Sequence, residues 1–167
     1  MGFMVHGDFG LNIFNSESLR VVKELGLQSV TLSFELRLSQ IRDIRKCVDT
    51  EILAYGRLPL MITENCISKN CTRSCGACDN FNQLIDRKGE IFPVVKAYGC
   101  RSVILNSHKL FLADRLSDVS QTGVWGARLC FTTENARECV KILDRYLGTD
   151  PYTPNGTTRG LYYRGVE

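Results

Sequence analysis

The side chains best suited to chemistry in this sequence are a crowd of cysteines and a set of polar residues at the ends of apolar runs. Four thiols fall in one short stretch as Cys66-x4-Cys71-x3-Cys75-x2-Cys78, and Cys100 follows after x21. Thiolates hold a metal only when they converge on it at about 2.3 Å, which short loops with one tight pair achieve. Cys75-Gly76-Ala77-Cys78 is such a pair, with Gly76 letting the backbone turn. All-sulfur sites take zinc or an iron–sulfur cluster, and spacing does not separate the two. The competing readings are unliganded loop thiols or a redox pair. A redox CxxC opens a helix behind a strand, whereas Asp79–Gln83 has no apolar periodicity. Cys47, Cys130 and Cys139 sit in strand or helix patterns and are expected to behave as small buried hydrophobes.

The polar candidates are His6, Asp8 and Asn12 in the first strand–helix unit, then Glu35, Glu64-Asn65, Asn106 and Thr132-Thr133-Glu134 after later strands. In parallel α/β folds function gathers at the carboxyl ends of strands. Glu35, Asn12 and Asp8 are therefore the expected catalytic residues, with Glu35 as acid, base or anchor. Glu64, Asn106 and Arg164 are the expected substrate contacts. The plainer alternative is that Asp8 and Glu35 cap helices or pair with Arg37 and Arg42. His6 is expected to be a satisfied hydrogen-bonding residue and His108 to start a helix. There is no H-E-x-x-H helix, G-x-S-x-G elbow, P-loop or G-x-G-x-x-G turn. A self-contained hydrolase is weakened accordingly.

The elements that must hold these residues alternate. Val5–Phe14 reads as a strand, and Asn15-Ser16 caps a helix carrying Leu19, Val22 and Leu25, which Gly26 stops. Ser29–Phe34 is a second strand, and Ser39 can cap a helix with Ile41, Ile44 and Val48. Glu51–Tyr55 is a third strand, continued by Leu58–Ile62. The segment 63–100 reads as a Cys-rich insertion with small strands and no helix. Alternation resumes with Ser102–Leu105, a helix around Leu110–Val119, a strand over Val124–Phe131, and a helix capped by Thr133 and stopped by Gly148. These units predict a mainly parallel α/β sheet over 1–148, either a small open domain or a parallel half-barrel, about half of a fold that takes about 250 residues. The tail 149–167 is rich in Gly, Pro, Tyr and Arg. It is expected to pack on the surface or, through Arg159, Tyr162, Tyr163 and Arg164, to stack on bases and contact phosphate.

Composition narrows the class. The chain has 167 residues, 44% of them hydrophobic, and 21 Lys+Arg against 18 Asp+Glu for a net charge of +3. That is an ordinary globular balance, too mild to argue for a nucleic-acid-coating or membrane-binding surface by charge alone. Met1–Leu11 contains His6 and Asp8 and no apolar h-region, so a secretory leader and a membrane partner are not expected. The expected location is the cytoplasm, with reduced thiols.

Several longer words then resemble a known family. Tyr55-Gly56-Arg57-Leu58-Pro59-Leu60-Met61 with Glu64-Asn65-Cys66, Leu84-Ile85-Asp86-Arg87-Lys88-Gly89 with Phe92-Pro93-Val94, and Leu105-Asn106-Ser107 resemble the U32 collagenase-like peptidase family. Asp8-Phe9 with Leu11-Asn12, Leu32-Ser33 with Glu35-Leu36, and Arg159-Gly160 with Arg164-Gly165-Val166 extend the resemblance over nearly the whole chain. It is similar to the C-terminal part of longer members related to ribosomal RNA hydroxylation proteins. The resemblance implies a barrel-like core and a [4Fe–4S] cluster on Cys66, Cys75, Cys78 and Cys100, with Cys71 as an alternate. Zinc, or no metal, is the expectation for the isolated chain. It further implies hydroxylation of RNA or a small molecule, the alternatives being collagenase-like proteolysis and a non-catalytic metal-stabilised interaction module. The implied partners are the N-terminal half of the same barrel and an RNA or peptide substrate, and the open strand edges of a half-barrel are expected to favour pairing with a second copy. The isolated chain is expected to be inactive.

Overall fold

A computed structural model describes residues 2–72 and 82–165. In chain order the elements are β1 (His6–Gly7), α1 (Ser16–Glu24), β2 (Ser29–Thr31), α2 (Leu38–Asp43), β3 (Asp49–Gly56), β4 (Pro59–Thr63), α3 (Ile67–Thr72), β5 (Asn82–Ile85), β6 (Ile91–Lys96), β7 (Ser102–Leu105), β8 (Lys109–Phe111), α4 (Leu116–Ser120), β9 (Gly126–Leu129), α5 (Ala136–Leu147) and β10 (Thr157–Thr158). The chain divides into two compact units. Met1–Gly56 with Leu110–Glu167 forms the first, and Arg57–Lys109 the second.

The first unit is mixed α/β around a sheet in which β1, β2, β3 and β9 run parallel. β8 pairs antiparallel with the end of β3, and β10 lies beside β8. Local chemistry explains the helices. The Asn15 side chain accepts the Ser18 N–H at 2.9 Å to open α1, and the reciprocal Asn135–Glu138 pair opens α5. Asn135, not Thr133, is therefore the residue whose side chain caps α5 at Glu138. Alternation along the strands sends Val30, Leu32, Ile52 and Ala54 to one face, where all are buried with Leu19, Val22 and Ile41 of the helices. A second cluster joins Tyr55, Phe111, Ala113 and Ile142, with Leu129, Tyr146 and Tyr152 packed against it.

The second unit is an antiparallel sheet in the order β4-β7-β6-β5. Pro59 opens β4 at the sheet edge, where its missing N–H costs no ladder bond.

Several expectations are corrected. Leu58–Ile62 does not prolong β3 but belongs to a different sheet in a different unit. Ser102–Leu105 is a strand of that antiparallel sheet and opens no further strand–helix unit. The second unit is larger than the expected insertion and contains α3. Leu110-Phe111-Leu112-Ala113 is a continuous apolar run whose period cannot tell strand from helix, and Leu110 and Phe111 enter β8, leaving only α4 as helix. Val5–Phe14 holds a two-residue strand, a 3-10 turn over Phe9–Leu11 and a bridge at Ile13. No closed barrel occurs among the described residues.

The tail packs as a structural element. Tyr162 is 1% exposed and its hydroxyl donates to the Leu53 carbonyl at 2.8 Å. Arg159 donates to the Phe111 carbonyl and pairs with Asp114 at 2.5 Å. The buried ring of Tyr162 has no free face on which a base could stack. Tyr163 is exposed and donates to Asp118 at 2.6 Å; desolvation of its hydroxyl, then that hydrogen bond, pushes it up to about 12. No helix among the described residues is long and apolar enough to cross a membrane.

Candidate functional site

In the second unit, β4 delivers Cys66 to the start of α3, and the turn before β7 delivers Cys100. The two thiols are distant in sequence yet line one cleft of about 320 Å³ together with Glu64, Asn65, Lys69 and Asn70. The Cys66 sulfur accepts the Lys69 N–H at 3.4 Å. Cys100 is exposed and adopts φ 69°, directly after Gly99 at φ 70°. A left-handed conformation costs a non-glycine residue about 1–2 kcal/mol. Here it turns the thiol-bearing residue at the mouth of the cleft. Glu64 at the rim pairs with Arg101 at 2.9 Å. Cys75 and Cys78 lie outside the described residues, as does the side chain of Cys71. Among the described residues no three His, Cys, Asp or Glu side chains gather as a metal group. The two described thiols nevertheless fit a sulfur-ligated centre: soft donors from separated segments open on one space.

Asn106 has a structural task in the same unit. Its N–H donates to the Leu58 carbonyl at 2.9 Å, its side-chain oxygen accepts the His108 N–H, and its carbonyl accepts from Arg57. His108 therefore stands in the turn between β7 and β8, not at a helix start.

In the first unit the carboxyl ends of the parallel strands carry the other expected residues. Asp8 follows β1 and caps the 3-10 turn, its carboxylate accepting the Phe9 N–H at 2.8 Å. Asn12 closes that turn with φ 54°. Glu35 follows β2 and is exposed, and its carboxylate makes no ion pair with Arg37 or Arg42, the plainer alternative for it. Arg164 is also exposed, in the last turn of the tail.

Two strand-end groups went unnoticed in the sequence as partners. Tyr55 donates to Glu134 at 3.0 Å, and the other Glu134 oxygen accepts the Thr132 and Thr133 N–H groups. Burial, reinforced by the Glu134 charge, holds the Tyr55 hydroxyl far above its ordinary range. Cys130 follows β9 and is half-buried; burial, then the Asp8 charge, raises its thiol. A raised thiol supplies little thiolate at neutral pH. Iodoacetamide should therefore alkylate exposed Cys100 well before Cys130, as peptide mapping of a timed reaction would show. Equal rates would mean that Cys130 is not shielded.

The most connected polar group was missed altogether. On the sheet face opposite Val30 and Ile52, Glu51 is 9% exposed and lies between three strands. One of its oxygens takes both the Nε and an Nη of Arg128 at 2.7 Å and the Thr31 hydroxyl at 3.4 Å. The other accepts the Ser29 hydroxyl at 3.3 Å, and Ser29 in turn meets His6 Nδ1 at 2.7 Å. Gly126 makes room: a Cβ there would stand 3.3 Å from the Glu51 side chain. The legible signal was the alternation Ser29-x-Thr31-x-Ser33, polar on every second residue of an otherwise apolar strand.

Residues 1–142 match the family described as Peptidase family U32. No curated protein and no solved structure matches the chain.

Proposed function

Because the chain belongs to peptidase family U32, we propose that it is part of an iron–sulfur-dependent domain that hydroxylates RNA or a small molecule. The observation that carries this reading is the shared cleft of Cys66 and Cys100. Cys66, Cys75, Cys78 and Cys100 would hold a [4Fe–4S] cluster, with Cys71 as substitute. When bound, such a cluster supplies one-electron redox chemistry that protein side chains lack. This chain's own residues have simpler tasks, each within its own unit. The Glu64–Arg101 pair lines the rim of the thiol cleft, and Lys69 donates its amide hydrogen to the Cys66 sulfur. Glu35 and Asn12 stand as proton-transfer and anchoring groups at the strand ends of the first unit, and Asp8 holds the turn that presents Asn12.

The parallel run β1-β2-β3-β9 supports reading the first unit as part of a barrel whose N-terminal half is the natural partner. Self-association is the corresponding expectation for the chain alone, and the cytoplasm remains the proposed location. The second reading is collagenase-like proteolysis, favoured by the exposed carboxylate of Glu35.

Anaerobic purification of the full-length protein, with iron, sulfide and zinc analysis and a visible spectrum, decides between them. Brown protein with iron and sulfide, both lost in Cys66→Ser and Cys100→Ser, is expected. Colourless protein with stoichiometric zinc would replace the redox reading with a structural metal. Gelatin hydrolysis lost on Glu35→Ala would establish the peptidase.

A further inference from the structure

His6 and His108 are the chain's two histidines, and each ring approaches a serine hydroxyl through Nδ1. The two contacts differ in what stands behind the serine. Behind Ser107 there is no carboxylate among the described residues, whereas Ser29 donates its single hydroxyl proton to Glu51. The surroundings favour that direction. Glu51 is buried, and one carboxylate oxygen is already occupied by Arg128 and Thr31. Ser29 is the donor to the other oxygen among the described residues, and leaving a buried carboxylate oxygen unpaired is costly. Having given its proton to Glu51, Ser29 offers His6 only lone pairs. His6 Nδ1 must then carry the ring hydrogen, and in the neutral ring Nε2 is left as an unprotonated acceptor. His6 is exposed while Ser29 is 2% exposed, so the relay is buried and its far end reaches solvent.

We propose that His6 is a proton-accepting site for the O–H of a water or substrate hydroxyl, its tautomer set by Ser29, Glu51 and Arg128. The geometry is that of a base oriented by a second group, with a serine inserted between imidazole and carboxylate. In the step, the O–H proton moves to Nε2, the oxygen keeps the bonding electron pair, and the imidazolium retains its Nδ1–H bond to Ser29. The site stands on four strands of the first unit and needs no cluster. Its test is therefore independent of the iron–sulfur reading.

Long-range ¹H–¹⁵N correlation spectra of the intact chain, above the ring's titration, read the tautomer directly. The expected result is Nδ1–H with bare Nε2 for His6, changing towards the Nε2–H form that free imidazole side chains prefer in Ser29→Ala. Ser29→Ala removes one oxygen and no bulk, and a spectrum with native dispersion certifies the fold; Ser29→Thr, which restores a hydroxyl, should restore the wild-type pattern and covers the case in which the alanine variant fails to fold. Diethyl pyrocarbonate, which acylates an accessible imidazole lone pair, should modify wild-type His6 before His108. An Nε2–H tautomer for wild-type His6 would overturn the proposal. So would a tautomer indifferent to Ser29→Ala, or a His6 that diethyl pyrocarbonate leaves unmodified.

Discussion

Gly56→Ala is expected to destabilise the first unit by about 3 kcal/mol or more, enough to deplete folded protein in most preparations. Gly56 ends β3 at φ 129°, a conformation that side-chain-bearing residues rarely adopt. The Cys130 carbonyl presses against the space a Cβ would need, with the Cys130 Cβ and carbonyl carbon at 3.0 and 3.1 Å. Backbone cannot step aside cheaply here. The Cys130 N–H donates to the Tyr55 carbonyl at 2.9 Å, so retreat of Cys130 would break the β3–β9 ladder at its end. Both causes act together, because the torsion is unfavourable and the contact is with main chain. Chemical denaturation of Gly56→Ala beside a control such as Gly10→Ala, where a Cβ meets nothing within 4 Å, measures the difference. Equal midpoints would show that the strand end relaxes freely.

Arg128→Met should cost about 3 kcal/mol, because it leaves the Glu51 carboxylate buried without its cation. The guanidinium makes two contacts to one oxygen at 2.7 Å, with side-chain exposures of 30% for Arg128 and 12% for Glu51. Those exposures place the pair between a surface bridge, worth up to about 1 kcal/mol, and a fully desolvated one. Removing both charges in Glu51→Met/Arg128→Met should cost less than the sum of the single changes, since no lone charge then remains. A double-mutant cycle by urea denaturation reads the coupling, and additivity within about 0.5 kcal/mol would mean that the charges do not stabilise one another. The same double variant removes the acceptor that orders the Ser29 hydroxyl, so it should also release the tautomer of His6.

By itself the sequence determined the features that depend on neighbours along the chain. Asn15 and the stops at Gly26 and Gly148 mark helix ends through capping and left-handed backbone, which a few adjacent residues decide. The strands read over Ser29–Phe34 and Glu51–Tyr55 were legible as β-branched and apolar runs, and they stand in the structure as Ser29–Thr31 and Asp49–Gly56. The family words around Tyr55-Gly56 and Glu64-Asn65-Cys66 were legible as rare sequences in order. Cys66 was legible as a candidate ligand from the spacing of its cluster, and the resemblance joined Cys100 to it across the intervening strands.

What only the tertiary structure decided are the relations between strands far apart in sequence. Pairing direction is one, since Ser102–Leu105 has the same apolar run whether it enters a parallel or an antiparallel sheet. The end of β3 is another: Leu58–Ile62 looked like its continuation, but the left-handed turn at Gly56 leads the chain into a different unit. The polar network is the clearest case. His6, Ser29, Glu51 and Arg128 come from four strands, and each is unremarkable in its local context. Strand order and register place their side chains on one face, where burial obliges the carboxylate to find donors and thereby orders the hydrogen bond to His6. Capping and periodicity are short-range properties of the chain. The identity of a buried charge's partners is a long-range one, and here it decides which ring nitrogen of His6 meets the solvent.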